Sequence, residues 1–385
     1  MAGKISGRVL LVVDGAAVLV HTLEFLRQAR QHGLKVRVFP TASALLFQSI
    51  TAWAAYSGQP CRDFESLTEE DLQAADVRLA APASGRLLQL LLQNDQTASC
   101  PWLLAPALLP EDKPEEMQQL FAPLLQEHHK LLLPSSDDVS DLGAMGKLSL
   151  ASPGRCLEAI LAELIPQELA GVRVLLTVGP TIEDIDPVRF ISNRSTGRMG
   201  QALALAAARR GALVTMIHGP LADPVADHPN IRPLAVRSAQ EMYDATLAEI
   251  GHTQVAILCA AVADFTPNTY AEEKIKKQGA EGMRLLLRRT PDILATIGQQ
   301  EKRPFLVGFA AESNDLELNA RHKLQSKHCD ILCANDIREP GCGFAVRTNR
   351  ITMFFPDGEK EELPMLSKDE AAERICAQIA RRWEK

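Results

Sequence analysis

Short apolar runs alternate with segments whose apolar residues recur every three or four positions, and this alternation occurs twice along the chain. Residues 8–13 form one such run, Leu19, Leu23 and Leu26 mark a helical face within 18–31, Gly33 can end that helix, and 35–39 is a second run. Strand, helix, strand predicts a parallel sheet. Residues 77–81 and 102–105 add two strands, each entering an Ala-Pro-Ala loop, and 130–133 adds a last one that ends at Pro134.

A polar, turn-rich stretch from 135 to 154 breaks the pattern, and a helix over 155–165 ends at Pro166. The expected division is therefore a first domain at 1–150, a linker helix at 151–170 and a second domain at 171–385. In the second, strands are expected at 173–178, 213–217, 254–260, 305–309 and 330–334, helices at 198–210 and 239–249, then a hairpin (350–355 with 361–364) and a final helix at 369–383. The fold class is α/β, with two doubly wound, mostly parallel sheets.

Composition narrows the function classes. A length of 385 residues exceeds one core at roughly 100–200 residues per domain. With 46% hydrophobic and 23% charged residues and a net charge of -7, the chain reads as soluble and globular, with no basic balance pointing to nucleic acid. The apolar run at 9–13 meets Asp14 and Gly15 at once and lacks a cleavage site, and no stretch approaches the roughly 20 apolar residues of a membrane helix. Eight scattered cysteines without CxxC pairing fit reduced thiols in a cytoplasm and imply neither a disulfide framework nor zinc.

In open parallel sheets ligands collect where strands run out into loops. After 173–178 the chain makes a long excursion, Asp186 to Arg194, before Ser195-Thr196-Gly197-Arg198-Met199-Gly200 opens a helix. That connection is too long for a GxGxxG dinucleotide turn, and taken alone its glycines signify helix entry and close packing. Cys259 to Phe265 offers small residues and one carboxylate, Asp264, and taken alone is a strand end with a cap. Lys274-Ile275-Lys276-Lys277 taken alone is a solvated basic surface.

Taken together, the strings at 186–200, 260–265, 274–277, Thr290-Pro291-Asp292-Ile293-Leu294, 307–312 and Ala334-Asn335-Asp336 resemble, in order and spacing, the bacterial phosphopantothenoylcysteine synthetase family. The resemblance implies a Rossmann-like domain in coenzyme A biosynthesis that ligates 4'-phosphopantothenate to cysteine with CTP and Mg2+, through an acyl cytidylate, as a homodimer formed by this domain, with higher assemblies left open. By the same resemblance Asn193 engages the acyl cytidylate, donating to its acyl oxygen, and Lys274 sits on a flap that contacts the CTP phosphates. Arg189 reaches across a dimer interface to the 4'-phosphate; Ala260, Ala261 and Asp264 line the nucleotide and pantothenate site; Pro291, Asp292, Ile293, Leu294, Phe309, Lys323 and Lys327 are further CTP contacts. No protein cage for the metal is implied. A cytidylating ligase for another carboxylate and amine is the alternative.

Residues 1–150 resemble the flavodoxin-like, FMN-dependent decarboxylase that is often fused ahead of this ligase, through 33–43, 75–84 and 104–107. Its chemistry is expected to be missing. No histidine lies between His32 and His128, Thr68 stands near the expected place, and Pro106-Ala107-Leu108-Leu109 and Ala144-Met145-Gly146 replace strings that should carry an asparagine and a cysteine. Thr41, Ser43 and Ser84 could still hold FMN, but Asp14 would place a carboxylate near its phosphate.

Overall fold

The computed structural model describes residues 7–15, 19–84, 86–88, 91, 100–108, 129–134, 139–141, 147–276 and 283–383. The chain divides into two compact units, Met1–Pro166 and Gln167–Lys385. In the first, five parallel strands lie side by side in the order Lys35–Pro40, Arg8–Val13, Val77–Ala83, Trp102–Pro106, Lys130–Leu131. Leu11, Val36, Val38, Val77 and Leu79 are fully covered, as a sheet with both faces packed requires. The strand order reverses between Arg8–Val13 and Val77–Ala83, so the crevice of this unit lies at their carboxyl ends.

Two expectations are corrected here. Ala81-Pro82-Ala83 is not a loop: it continues the strand, and pairing with the neighbouring strand is interrupted between Ala80 and Ala83, where Pro82 has no N–H to give. The segment expected to be a linker holds the helix Pro153–Leu164, whose Cys156, Leu157, Ile160 and Leu161 are buried in the first core. Their i, i+4 spacing puts them on one face, and burying a large apolar side chain stabilises by about 1.5–3 kcal/mol. The helix is thus a layer of the first unit.

The second unit carries an eight-stranded sheet in the order Ile231–Ala235, Leu213–His218, Arg173–Val178, Val255–Leu258, Phe305–Glu312, Ile331–Asp336, Thr352–Phe354, Lys360–Glu362. The first six are mutually parallel, and the last two are joined on by antiparallel pairing. Helices Arg198–Arg209 and Lys368–Trp383 pack on one face, and Ala239–Ile250, Ile293–Gly298 and Leu316–Ser326 on the other. Both doubly wound sheets foreseen from the alternation are present. Here the order reverses between Arg173–Val178 and Val255–Leu258, which defines the crevice of this unit.

Candidate functional site

A cavity of about 740 Å³ opens at the switch point of the second sheet, a volume typical of small-molecule sites. Its floor is the backbone from Ala260 to Asp264, held from several sides. The Ala260 N–H donates to Thr177 Oγ1 at 3.3 Å, Ala261 N–H to Gly179 O at 2.8 Å and Ala263 N–H to Thr181 Oγ1 at 3.0 Å, while Thr290 Oγ1 donates to Ala263 O at 2.6 Å. One wall is the N-terminus of Arg198–Arg209, whose first amides have no intrahelical partner and favour an anion. Glycine is required there. Gly197 has a φ of 78°, and a Cβ on Gly200 would stand 2.6 Å from Val178 Cγ1, so any side chain would push the helix off the sheet.

Asn193, Ala260, Ala261, Asp264, Pro291, Asp292, Ile293, Leu294, Phe309, Lys323 and Lys327 all border this cavity. Asn193 does so with its amide turned onto the loop backbone. Its Nδ2 donates to Ala261 O at 3.0 Å and Val262 O at 3.1 Å, which uses both amide hydrogens and leaves Oδ1 to accept. Asp292 caps Ile293–Gly298 through Ala295 N–H at 2.8 Å and pairs with Lys327 Nζ at 2.6 Å. Burial alone would raise its carboxyl, but Lys327, the Ala295 amide and Lys323 hold it below the usual range.

Arg189 and Lys274 do not border the cavity. Asp186, 1% exposed, ties them to one place: it accepts from Val188 N–H and Arg189 N–H, both at 2.9 Å, from the Arg189 guanidinium, and from Ile275 N–H at 3.1 Å. Arg189 Nη2 also donates to Ile275 O at 2.8 Å. The guanidinium and these amides hold the Asp186 carboxyl far below its ordinary pKa. Lys274 is exposed one residue before this clasp, and Lys277 lies outside the described residues.

Sequence reasoning gave no role to Thr177, Thr181 and Thr290, whose hydroxyls brace the floor, and passed over two buried polar residues on the cavity, Asn349 and Lys368. The threonines flanking Gly179 in Thr177-Val178-Gly179-Pro180-Thr181 were a usable signal, since hydroxyls at a strand end commonly satisfy loop amides. Nothing marked Asn349 or Lys368. Among the described residues no three His, Cys, Asp or Glu side chains gather as a metal site, and no helix is long and apolar enough to cross a membrane.

The switch point of the first unit is furnished differently. Asp14 Oδ1 accepts from Thr41 Oγ1 at 2.7 Å and Ser43 Oγ at 2.6 Å, and Oδ2 accepts from the Ser84 hydroxyl and from Ser84 N–H at 3.4 Å. The hydroxyls expected to serve an FMN phosphate are here turned onto a carboxylate of the same chain. Burial acts to raise the Asp14 carboxyl, yet the hydrogen bonds of Ser43, Ser84 and Thr41 bring it below its ordinary pKa. Thr68 caps the helix Glu69–Ala74 in a reciprocal box with Asp71. Leu108 is 2% exposed and bridges Ser149 through two backbone hydrogen bonds of 2.8 Å. Leu109 and Ala144-Met145-Gly146 lie outside the described residues.

Residues 169–382 match the family described as the DNA/pantothenate metabolism flavoprotein C-terminal domain. The coenzyme A biosynthesis bifunctional protein CoaBC of Vibrio vulnificus (strain YJ016) is 36% identical over 98% of this chain and 98% of its own length. Its namesake in Bacillus subtilis (strain 168) is 36% identical over 97% and 96%. Among solved structures, the C-terminal domain of a coenzyme A biosynthesis bifunctional protein CoaBC is 38% identical and covers 57% of this chain and 98% of that one, with a TM-score of 0.48.

Proposed function

Because the chain belongs to the DNA/pantothenate metabolism flavoprotein family of coenzyme A biosynthesis proteins, we propose that its second unit joins 4'-phosphopantothenate to cysteine with CTP as the activating nucleotide. The chain is an enzyme of coenzyme A biosynthesis, a carboxylate–amine ligase. The observation that carries the nucleotide-dependent reading is the cavity itself, which gathers residues spread from Asn193 to Lys327 at one sheet switch point.

A carboxylate is a poor acyl donor until one of its oxygens belongs to a leaving group. Attack of the substrate carboxylate on the α-phosphorus of CTP expels pyrophosphate and leaves an acyl cytidylate; the cysteine amine then displaces CMP. Lys323 and Lys327 would meet the phosphates, and the helix start at Arg198 would face a further anion. Asn193 Oδ1, left free to accept, suits an N–H of the incoming amine better than an acyl oxygen. Lys274 stands on the exposed segment rooted by the Asp186 clasp, from which it can close over the triphosphate. Magnesium would ride on the phosphates, with Asp264, an exposed carboxylate on the cavity not paired with a lysine as Asp292 is, as the side chain able to hold it. Arg189, outside the cavity of its own chain and held by Asp186 and Ile275 O, would reach a second copy in a homodimer through the Nη1 side of its guanidinium.

The first unit, in the same proposal, no longer decarboxylates. No histidine lies between His32 and His128, Thr68 is committed to a helix cap, Leu108 cannot hydrogen-bond a carboxylate, and Asp14 occupies the hydroxyl cluster. The working location is the cytoplasm. The test offers CTP with 4'-phosphopantothenate or with a panel of other carboxylic acids, and follows pyrophosphate and carbon dioxide. Pyrophosphate release with 4'-phosphopantothenate and no carbon dioxide after cysteine addition is expected. Strong release with another acid alone overturns the substrate, and formation of 4'-phosphopantetheine by the unaided chain overturns the loss of decarboxylation.

A further inference from the structure

One corner of the cavity has polar groups that the nucleotide contacts leave unused. Lys368 opens the last helix and is 8% exposed; Asn349 is 6% exposed. A short antiparallel ladder joins them, pairing Thr348 with Ser367 and Asn349 with Leu366, and Lys368 N–H continues it to Arg347 O at 3.0 Å. Side chains alternate across such a ladder, so Lys368 and Asn349 leave it on the same face, and both border the cavity beside Gly343 and Phe344.

Neither head group is matched within the protein. Lys368 Nζ meets Gly343 O at 3.3 Å and, among the described residues, no carboxylate. Asn349 Oδ1 is fully buried and accepts no hydrogen bond. Of the other lining cations, Arg198 and Lys327 are held by Asp223 and Asp292, Arg289 is exposed and Lys323 half-buried, so among the described residues Lys368 is the one that is both buried and without a carboxylate. The thiol of Cys259 faces Lys368 but supplies no counter-charge, because burial pushes it up to about 12. Burial in turn keeps the Lys368 ammonium below its ordinary pKa, with Arg198 pushing the same way, as befits a cation still lacking an anion.

A buried cation beside a buried, unsatisfied acceptor is the complement of a group that carries a carboxylate and an N–H donor on neighbouring atoms. Of the three substrates of the ligase reading, on which this inference rests, cysteine is the one with both on a single carbon. We propose that Lys368 and Asn349 form the amino-acid subsite, Lys368 taking the α-carboxylate of cysteine and the Asn349 side chain, turned so that its now buried Oδ1 faces the cavity, an N–H of its amine. The corner thereby selects α-amino acids over simple amines.

The full chain is assayed with cysteine, cysteamine and cysteine methyl ester as acceptors, and pyrophosphate release from CTP and 4'-phosphopantothenate is followed separately without any acceptor. The wild-type chain should favour cysteine in kcat/KM by roughly 30-fold or more, the usual scale for a buried charge pair. Lys368→Met should abolish that preference, its loss in kcat/KM being at least about tenfold larger for cysteine than for cysteine methyl ester. Lys368→Arg should retain part of the preference. A higher KM for CTP in Lys368→Met with the cysteine preference intact would assign the corner to the nucleotide and overturn the proposal. Should Lys368→Met not fold, the methyl ester decides on wild-type protein: equal use of ester and acid overturns the subsite. Failure of the wild-type chain to release pyrophosphate overturns the ligase reading instead, so the two failures are told apart.

Discussion

The two units reach their switch points by the same architecture and furnish them in opposite ways. In the second, hydroxyls of Thr177, Thr181 and Thr290 are spent on bracing a loop, and the space above it stays open to about 740 Å³. In the first, hydroxyls of Thr41, Ser43 and Ser84 are spent on Asp14, a side chain at the carboxyl end of the strand Arg8–Val13. Sheet order therefore says where a ligand could sit, while the partners of a few hydroxyls decide whether there is room and polarity for it.

The largest expected difference between the two crevices comes from Asn193→Asp. The substitution keeps the shape but sets a carboxylate against Ala261 O and Val262 O, which can only accept. Phosphopantothenoylcysteine formation should fall by about 10²-fold, the scale of two lost hydrogen bonds at about 1.4 kcal/mol each, with the circular dichroism of the chain unchanged. Activity within tenfold of wild type would mean the loop does not depend on Asn193. Next in size, Asp14→Ser should release the first crevice. Flavin fluorescence quenching should then report FMN binding at least about tenfold tighter than in the wild-type chain. Equal binding by both proteins would show that Asp14 is not what closes the site.

A smaller effect follows from the titration of Asp14. Its folded carboxyl lies below the ordinary value, so its stabilisation is fully present above the unfolded aspartate pKa of about 3.9 and is lost as pH falls through the folded one. Asp14→Asn should lower the Tm by roughly 2–4 °C near neutral pH, on the scale of one hydrogen-bonded contact in a unit of this size. The gap should narrow on acidification below the unfolded pKa. A gap that persists unchanged in acid would place the effect in packing rather than in charge.

Periodicity made most strands and helices legible, because apolar runs and helical faces are local properties. The segment around Pro166 was misread for a local reason as well. A proline and a polar stretch look like a boundary, whereas the burial of Leu157 and Leu161 against the first sheet depends on a surface built elsewhere in the chain. The ordered motif strings led to the cavity residues because they follow successive strand ends. Asn349 and Lys368 escaped notice: they meet through a ladder of a few residues with no periodic signal, and their character lies in what they fail to contact. Asp14 could be suspected from sequence as a misplaced charge, but its hydrogen bonds join residues 14, 41, 43 and 84, which only the fold assembles.

The Asp14 contact also amounts to a competitor carried on the molecule. A tethered group competes at an effective concentration set by its attachment, on the order of millimolar even for flexible linkers and undiminished by dilution. A free phosphate ester in solution must displace that group before it gains a single hydroxyl. Filling the first crevice with a phosphate ester would therefore take a correspondingly higher ligand concentration, and a one-residue change at position 14 would be a short route to lowering it.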